Sequence, residues 1–206
     1  GANPDGTLTE EQSPFSPNTT SGMVIGKKMN QFTLFGFLPA RPMAEWHNRL
    51  QKLAERTRLG IPVTISSDPR HAFSTNPLAS MMSGSFSQWP EPLGLAATHD
   101  PQLVQEFADI ARQEYLAVGI RVALHPMADL ATEPRWGRIS GTFGEDAELS
   151  SQMTTAYIRG FQGENLGPQS VACMTKHFPG GGPQLNGEDP HFAYGREQVY
   201  PGKNFE

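Results

Sequence analysis

One pattern recurs along this chain and restricts its fold more than any other: an amphipathic helix, a glycine, a short apolar run, then a cluster of charged and imidazole side chains. From Met43, apolar Met43, Trp46, Leu50 and Leu53 recur at spacings of three and four, and Gly60 follows. Residues 62–66, short and β-branched, read as a strand that ends in Ser67-Asp68-Pro69-Arg70-His71. Asp100 is placed to cap a second helix with Pro101 at its first position, and its stripe of Val104, Phe107, Ala108, Ala111, Tyr115 and Val118 stops at Gly119. Residues 120–124 then read as a strand followed by His125, Asp129, Glu133, Arg135 and Arg138. A third helix spans about residues 147–162, with Asp146 as its cap, Leu149, Met153, Ala156, Tyr157 and Phe161 inward, and Gly163 as its stop. The apolar run 171–174 follows as a strand, and Lys176-His177 stand at its mouth beside Gly180-Gly181-Gly182.

Strands that alternate with helices require crossover connections and a parallel sheet, so the fold class is α/β. In such folds a site lies at the carboxyl ends of the strands, where Asp68, the segment His125 to Arg138, and Lys176-His177 all fall. A doubly wound sheet and a barrel both satisfy this pattern. Residues 1–30 show almost no periodicity and read as an irregular N-terminal arm, distinct from a folded unit over 31–206. Residues 32–37 are compatible with a first strand. Residues 72–98, with Pro77, Pro90 and Pro92, read as a long loop whose Phe86 and Trp89 belong to the core or to a pocket wall.

Composition narrows the function classes. The net charge of −5 and the lack of any Lys/Arg block argue against nucleic acid as a partner. No apolar stretch approaches the roughly 20 residues needed to span a bilayer, so no membrane role is expected. The single cysteine, Cys173, excludes an internal disulfide and, within an apolar run, reads as an inert buried thiol. Asn18-Thr19-Thr20 is a glycosylation sequon of a kind common by chance. The first residues show no secretory leader pattern. The compartment stays open, with an extracellular or periplasmic place preferred to a cytoplasmic one.

Three longer motifs carry a resemblance. Pro134-Arg135-Trp136-Gly137-Arg138, Thr142-Phe143-Gly144-Glu145-Asp146 and Lys176-His177-Phe178-Pro179-Gly180 occur in the order and spacing of the N-terminal domain of glycoside hydrolase family 3. Asp68 with His71 is similar to its D-x-x-H element, and the resemblance runs from about Phe32 onward. It implies an incomplete parallel (β/α)8 barrel of the TIM type, about its first three or four βα units, and hydrolysis of terminal β-linked glucose with retention. It also implies that Asp68, Arg138, Lys176 and His177 hold sugar hydroxyls in the −1 subsite, with Arg70, His71 and Arg135 as possible supports. These residue types suit that work. A carboxylate accepts from hydroxyls, a guanidinium donates in a fork, and Lys with His adds donors. Such contacts can tighten as the ring distorts toward an oxocarbenium ion.

The departures from the family pattern are informative. Arg70 replaces the smaller or apolar residues common between that Asp and His, which predicts a subsite of different shape or charge. The N-acetylhexosaminidase branch usually carries a further His where this chain has Gly181, Gly182 and Pro183, so β-glucosidase is preferred. Retaining hydrolysis needs two carboxylates about 5 Å apart. Neither can be assigned here, and Glu188 and Asp189 lie in a site loop without a motif that gives them a role. A barrel of this type takes about 250 residues. The expected partners are therefore a β-glucoside or oligosaccharide, and the remainder of the barrel as a longer chain, a second chain or another copy. No cofactor and no metal are expected. Three alternatives compete: a carbohydrate-binding remnant without hydrolysis; a metal-dependent hydrolase built on Asp68, His71, His125, Asp129 and His177; and a phosphate cradle at Gly180 to Gly182.

Overall fold

The computed structural model describes residues 1–10, 17–36, 38–74, 80–178 and 180–200. The expectations that fall on Phe37, Pro77, Pro179 and Glu206 lie outside these residues. Four strands, β1 (Gln31–Thr33), β2 (Thr64–Ser67), β3 (Ile120–Ala123) and β4 (Ala172–Cys173), form one sheet in the order β1-β2-β3-β4, every pair parallel. Helix α1 (Ala40–Glu55) joins β1 to β2, α2 (Pro92–Ala96) and α3 (Pro101–Val118) join β2 to β3, and α4 (Ala147–Gln162) joins β3 to β4. A doubly wound sheet reverses its strand order at a switch point. This one does not reverse, so the ambiguity left by periodicity is resolved as an incomplete parallel (β/α)8 barrel.

The helix ends follow local rules. Asp100 Oδ1 accepts from the backbone N–H groups of Gln102 (3.0 Å) and Leu103 (3.1 Å), and Asp146 Oδ1 accepts from Leu149 N–H (2.7 Å). The strand ends do not. β2 begins at Thr64, two residues later than its apolar run, because Gln51 of α1 takes both backbone groups of Val63: Oε1 accepts from Val63 N–H and Nε2 donates to Val63 O. The expected strand 171–174 shrinks to two residues in β4. Residues 1–10 and 17–30, expected as a surface arm, form a strap on α1. Trp46 Nε1 donates to Gly1 O (3.0 Å), and Thr20 and Val24 are buried.

The core lies between the sheet and its helices. Val104, Phe107, Ala108, Ala111, Tyr115 and Val118 of α3 and Met153, Ala156, Tyr157 and Phe161 of α4 are all buried, with Ile65 of β2 and Ile120 and Ala123 of β3. Phe86 is buried, and Trp89, partly buried, packs against the core with its ring 5.3 Å from that of Phe107. Burial pushes the Cys173 thiol up to about 12, in keeping with an inert packing role. Two imidazoles sit in this layer. His71 lies 5.2 Å from the Phe86 ring and 5.3 Å from the Tyr115 ring, and its Nε2 faces Glu114 Oε2 at 3.0 Å. Burial lowers its pKa from 6.5 to about 4, against the opposing pull of Glu114. Burial likewise holds His125 well below 6.5.

Two outcomes follow from this packing. A Cβ at Gly160 of α4 would lie 2.4 Å from Ala108 Cβ and 2.5 Å from Gln105 O of α3, so Gly160→Ala must push the two helices apart. It should cost about 1–3 kcal/mol in chemical denaturation, and an unchanged midpoint would contradict the close crossing. Both buried imidazoles stay neutral in the folded protein while the unfolded chain takes up protons below 6.5. Stability is therefore fully present above about pH 6.5 and falls as the pH drops toward 4. His71→Phe, which takes no proton, should flatten part of that slope in denaturation midpoints measured across pH 4–7, and an unaltered slope would contradict it.

Candidate active site

The parallel ladder between β3 and β4 continues past the strands. Lys176 N–H donates to Pro126 O (2.9 Å) and Ala128 N–H donates to Lys176 O (2.6 Å), which sets Met127 beside Lys176 and the Asp129 turn beside His177. Asp129 has no exposed surface. Its Oδ2 accepts from His177 N–H (3.0 Å) and faces His177 Nδ1 (3.1 Å), and its Oδ1 accepts from Gly181 N–H (2.5 Å). Burial alone would raise the pKa of this carboxyl. The hydrogen bonds from the His177 ring, the His177 backbone and Gly181 outweigh it, and the net shift is downward.

The glycine run is explained by the same turn. A Cβ at Gly182 would lie 1.8 Å from Leu130 O, so the loop can lie on the Asp129-Leu130 backbone only as glycine. Gly181 N–H is given to Asp129 and is not presented outward as an anion donor. Gly181 is thereby lost as a donor to a phosphate.

The four residues expected to hold a sugar come together from three strand ends. Lys176 Nζ stands 2.5 Å from Asp68 Oδ1, both side chains less than a third exposed. Arg138, 7% exposed, starts the 3-10 turn Ile139–Gly141. Its Nη1 is 3.3 Å from His177 Nε2, its Nη2 is 3.9 Å from Met127 Sδ, and its Cζ lies 5.9 Å from the Trp136 ring centre. A guanidinium only donates, so His177 Nε2 accepts and Nδ1 carries the proton toward Asp129. Arg138 does not pair with Asp146, which caps α4. Its Nε is buried with no hydrogen-bond partner among the described residues.

The possible supports lie elsewhere. Arg70 is 1% exposed and folds beneath the site, its Nη2 on Leu34 O (2.7 Å) and its Nε on Ser67 Oγ (2.6 Å). It therefore adds no surface to the open face, and its charge acts on Asp68 from beneath. His71 turns into the aromatic layer toward Glu114. Arg135 is exposed and forks onto Glu133 (2.8 Å at both oxygens), and its hydrogen bonds hold that carboxyl down to about 2.

Among the described residues, no three His, Cys, Asp or Glu side chains are grouped to hold a metal ion. Of the set considered for a metal, His71 and His125 are each taken by other partners. Asp189 is also committed: it accepts from His191 N–H (2.9 Å), faces His191 Nδ1 (2.5 Å) and accepts from Trp136 Nε1 (3.4 Å). It thereby ties the last loop to the Arg138 segment. Asp129 is the residue whose role in the site the sequence did not reveal, since its partners lie 48 and 52 residues away.

Comparison with known proteins places the chain in a family. The glycosyl hydrolase family 3 N-terminal domain matches residues 18–198. A probable beta-glucosidase C of Aspergillus flavus is 56% identical over 204 residues, 98% of this chain and 32% of its own. A periplasmic beta-glucosidase/beta-xylosidase of Dickeya chrysanthemi is 49% identical over 205 residues, 98% of this chain and 31% of its own. Among solved structures, a glycoside hydrolase family 3 beta-N-acetylglucosaminidase from Paenibacillus superposes with a TM-score of 0.73 at 26% identity, over 84% of this chain and 31% of that one. The chain spans about a third of the length of these relatives. With a family match that covers most of its length, the chain belongs to glycosyl hydrolase family 3 and carries part of that family's N-terminal domain.

Proposed function

We propose that this chain supplies the sugar-clamping part of the −1 subsite of a retaining β-glucosidase. The observation that carries the reading is that three successive strand ends present two pairs, Asp68–Lys176 and Arg138–His177, joined by the adjacent Lys176 and His177, and that Arg138 Nε is buried with no hydrogen-bond partner among the described residues. An ammonium has three donors and a carboxylate about four lone-pair sites, so the Asp68–Lys176 pair keeps capacity for vicinal hydroxyls. Arg138 adds donors in a plane, and His177, held by Asp129, fixes the far wall. Contacts of this kind favour a distorted, positively charged ring over the resting sugar when they shorten in the transition state. The nucleophile and the acid/base, about 5–5.5 Å apart in a retaining enzyme, are assigned to the remainder of the polypeptide. The names of the Aspergillus and Dickeya relatives support β-glucosides as the substrate class, with β-xylosides as the first alternative. The Dickeya relative also supports a periplasmic or extracellular location.

The test is hydrolysis of p-nitrophenyl β-glucoside, β-xyloside and N-acetyl-β-glucosaminide by the complete polypeptide, with and without Asp68→Asn and Lys176→Met. The glucoside should be cleaved fastest with retention, and each variant should lower kcat/KM by about 10- to 100-fold, the worth of one charge-assisted hydrogen bond. Fastest cleavage of the N-acetylated substrate would overturn the substrate class. Glucose binding without hydrolysis of any of the three would leave a carbohydrate-binding protein instead.

A further inference from the structure

Below the sugar-facing side chains, the carboxyl ends of β1, β2 and β3 are joined by a run of buried hydrogen bonds. Arg70 reaches Leu34 O at the end of β1 and Ser67 Oγ at the end of β2. Ser67 Oγ donates to Asp68 O (2.9 Å). Tyr115 OH of α3 donates to the same oxygen (3.1 Å) and lies 3.2 Å from His125 Nε2. Tyr157 OH of α4 lies 2.6 Å from His125 Nδ1. Tyr115 has no exposed surface, and Tyr157 and His125 are 3% and 2% exposed.

The protons in this run have one consistent arrangement. A carbonyl oxygen accepts two hydrogen bonds, and Ser67 and Tyr115 fill both places on Asp68. Tyr115 has a single proton and gives it to Asp68, so its contact with His125 requires Nε2 to donate. Nδ1 is then the acceptor, and Tyr157 donates to it. The imidazole must be neutral for this, and burial keeps it so. Tyr115 of α3 thus reaches the main chain of the residue whose carboxylate meets Lys176, and behind it stand His125, just past β3, and Tyr157 of α4.

We propose that Tyr115 and His125, oriented by Tyr157 and backed by Ser67 and Arg70, are positioning residues for Asp68. They touch no substrate atom. They fix the Asp68 carbonyl, and through it the short side chain, at the place where its carboxylate pairs with Lys176 and meets sugar hydroxyls. The inference rests on the sugar-clamp reading above. A displacement of about 1 Å in such a group is enough to cost on the order of 100-fold in rate.

The test compares Tyr115→Phe with Tyr157→Phe in the complete polypeptide. Each removes one buried hydroxyl from the same imidazole, but only Tyr115 touches Asp68. Both should lower the denaturation midpoint. Tyr115→Phe should lower kcat/KM for the glucoside about tenfold and Tyr157→Phe less than about threefold. In an Asp68→Asn background the further loss from Tyr115→Phe should largely vanish, because the two act through one group. The carboxyl carbon resonance of Asp68 should move in Tyr115→Phe and stay in place in Tyr157→Phe, a readout that does not need activity. Equal losses in the two variants, losses that add to Asp68→Asn, or an unmoved Asp68 resonance would show a merely structural role. If the wild type cleaves no glycoside, the functional reading fails while the resonance comparison still decides the positioning.

Discussion

A carboxylate with no exposed surface holds this site together. Asp129 accepts from the backbone and faces the ring of His177, and it accepts from Gly181 beyond it, so one buried side chain sets the path of the loop that follows β4. An isolated buried carboxylate costs several kcal/mol, and the cost is offset only where its lone pairs are filled by donors. Here the donors come from His177 and Gly181 of the segment that follows β4. The requirement runs both ways: the loop needs the acceptor, and the acceptor needs the loop. The proton of His177 on the Asp129 side leaves Nε2 to accept from Arg138, which ties the guanidinium to the end of β4.

Asp68 is held by different means. Its main chain is gripped by hydroxyls from Ser67 and Tyr115. The two acidic residues divide the work. One is sealed and serves the architecture; the other is part open and paired with Lys176, where a hydroxyl can reach it. A parallel sheet with sequential strand order brings the two together, because consecutive strand ends lie side by side on one rim.

Much of this was legible in the sequence, and the division follows the range of the interactions. The caps at Asp100 and Asp146 and the stops at Gly119 and Gly163 depend on atoms within a few residues and were read correctly. Strand bounds were less legible, since the start of β2 is set by Gln51, twelve residues from Val63. The choice between barrel and doubly wound sheet needed the strand order, which no periodicity encodes. The positions of Asp68, Arg138, Lys176 and His177 were carried by motifs. The direction of a side chain was not: Arg70 and His71 stand beside Asp68 in sequence, yet one dives under β1 and the other turns to Glu114 of α3. Asp129 and the Tyr115–His125–Tyr157 run depend on partners between 10 and 52 residues away, and only the folded chain reveals them.

The central claim is that these strand ends form a seat for a sugar ring. A crystal structure of the complete polypeptide with bound glucose tests it most directly. The account predicts one ring whose hydroxyls lie within hydrogen-bond distance of Asp68, Lys176 and His177, with a further hydroxyl taking the donor direction of Arg138. Glucose bound away from these four side chains, or a structure in which Asp68 and Lys176 part and leave the rim unoccupied at saturating sugar, would contradict it.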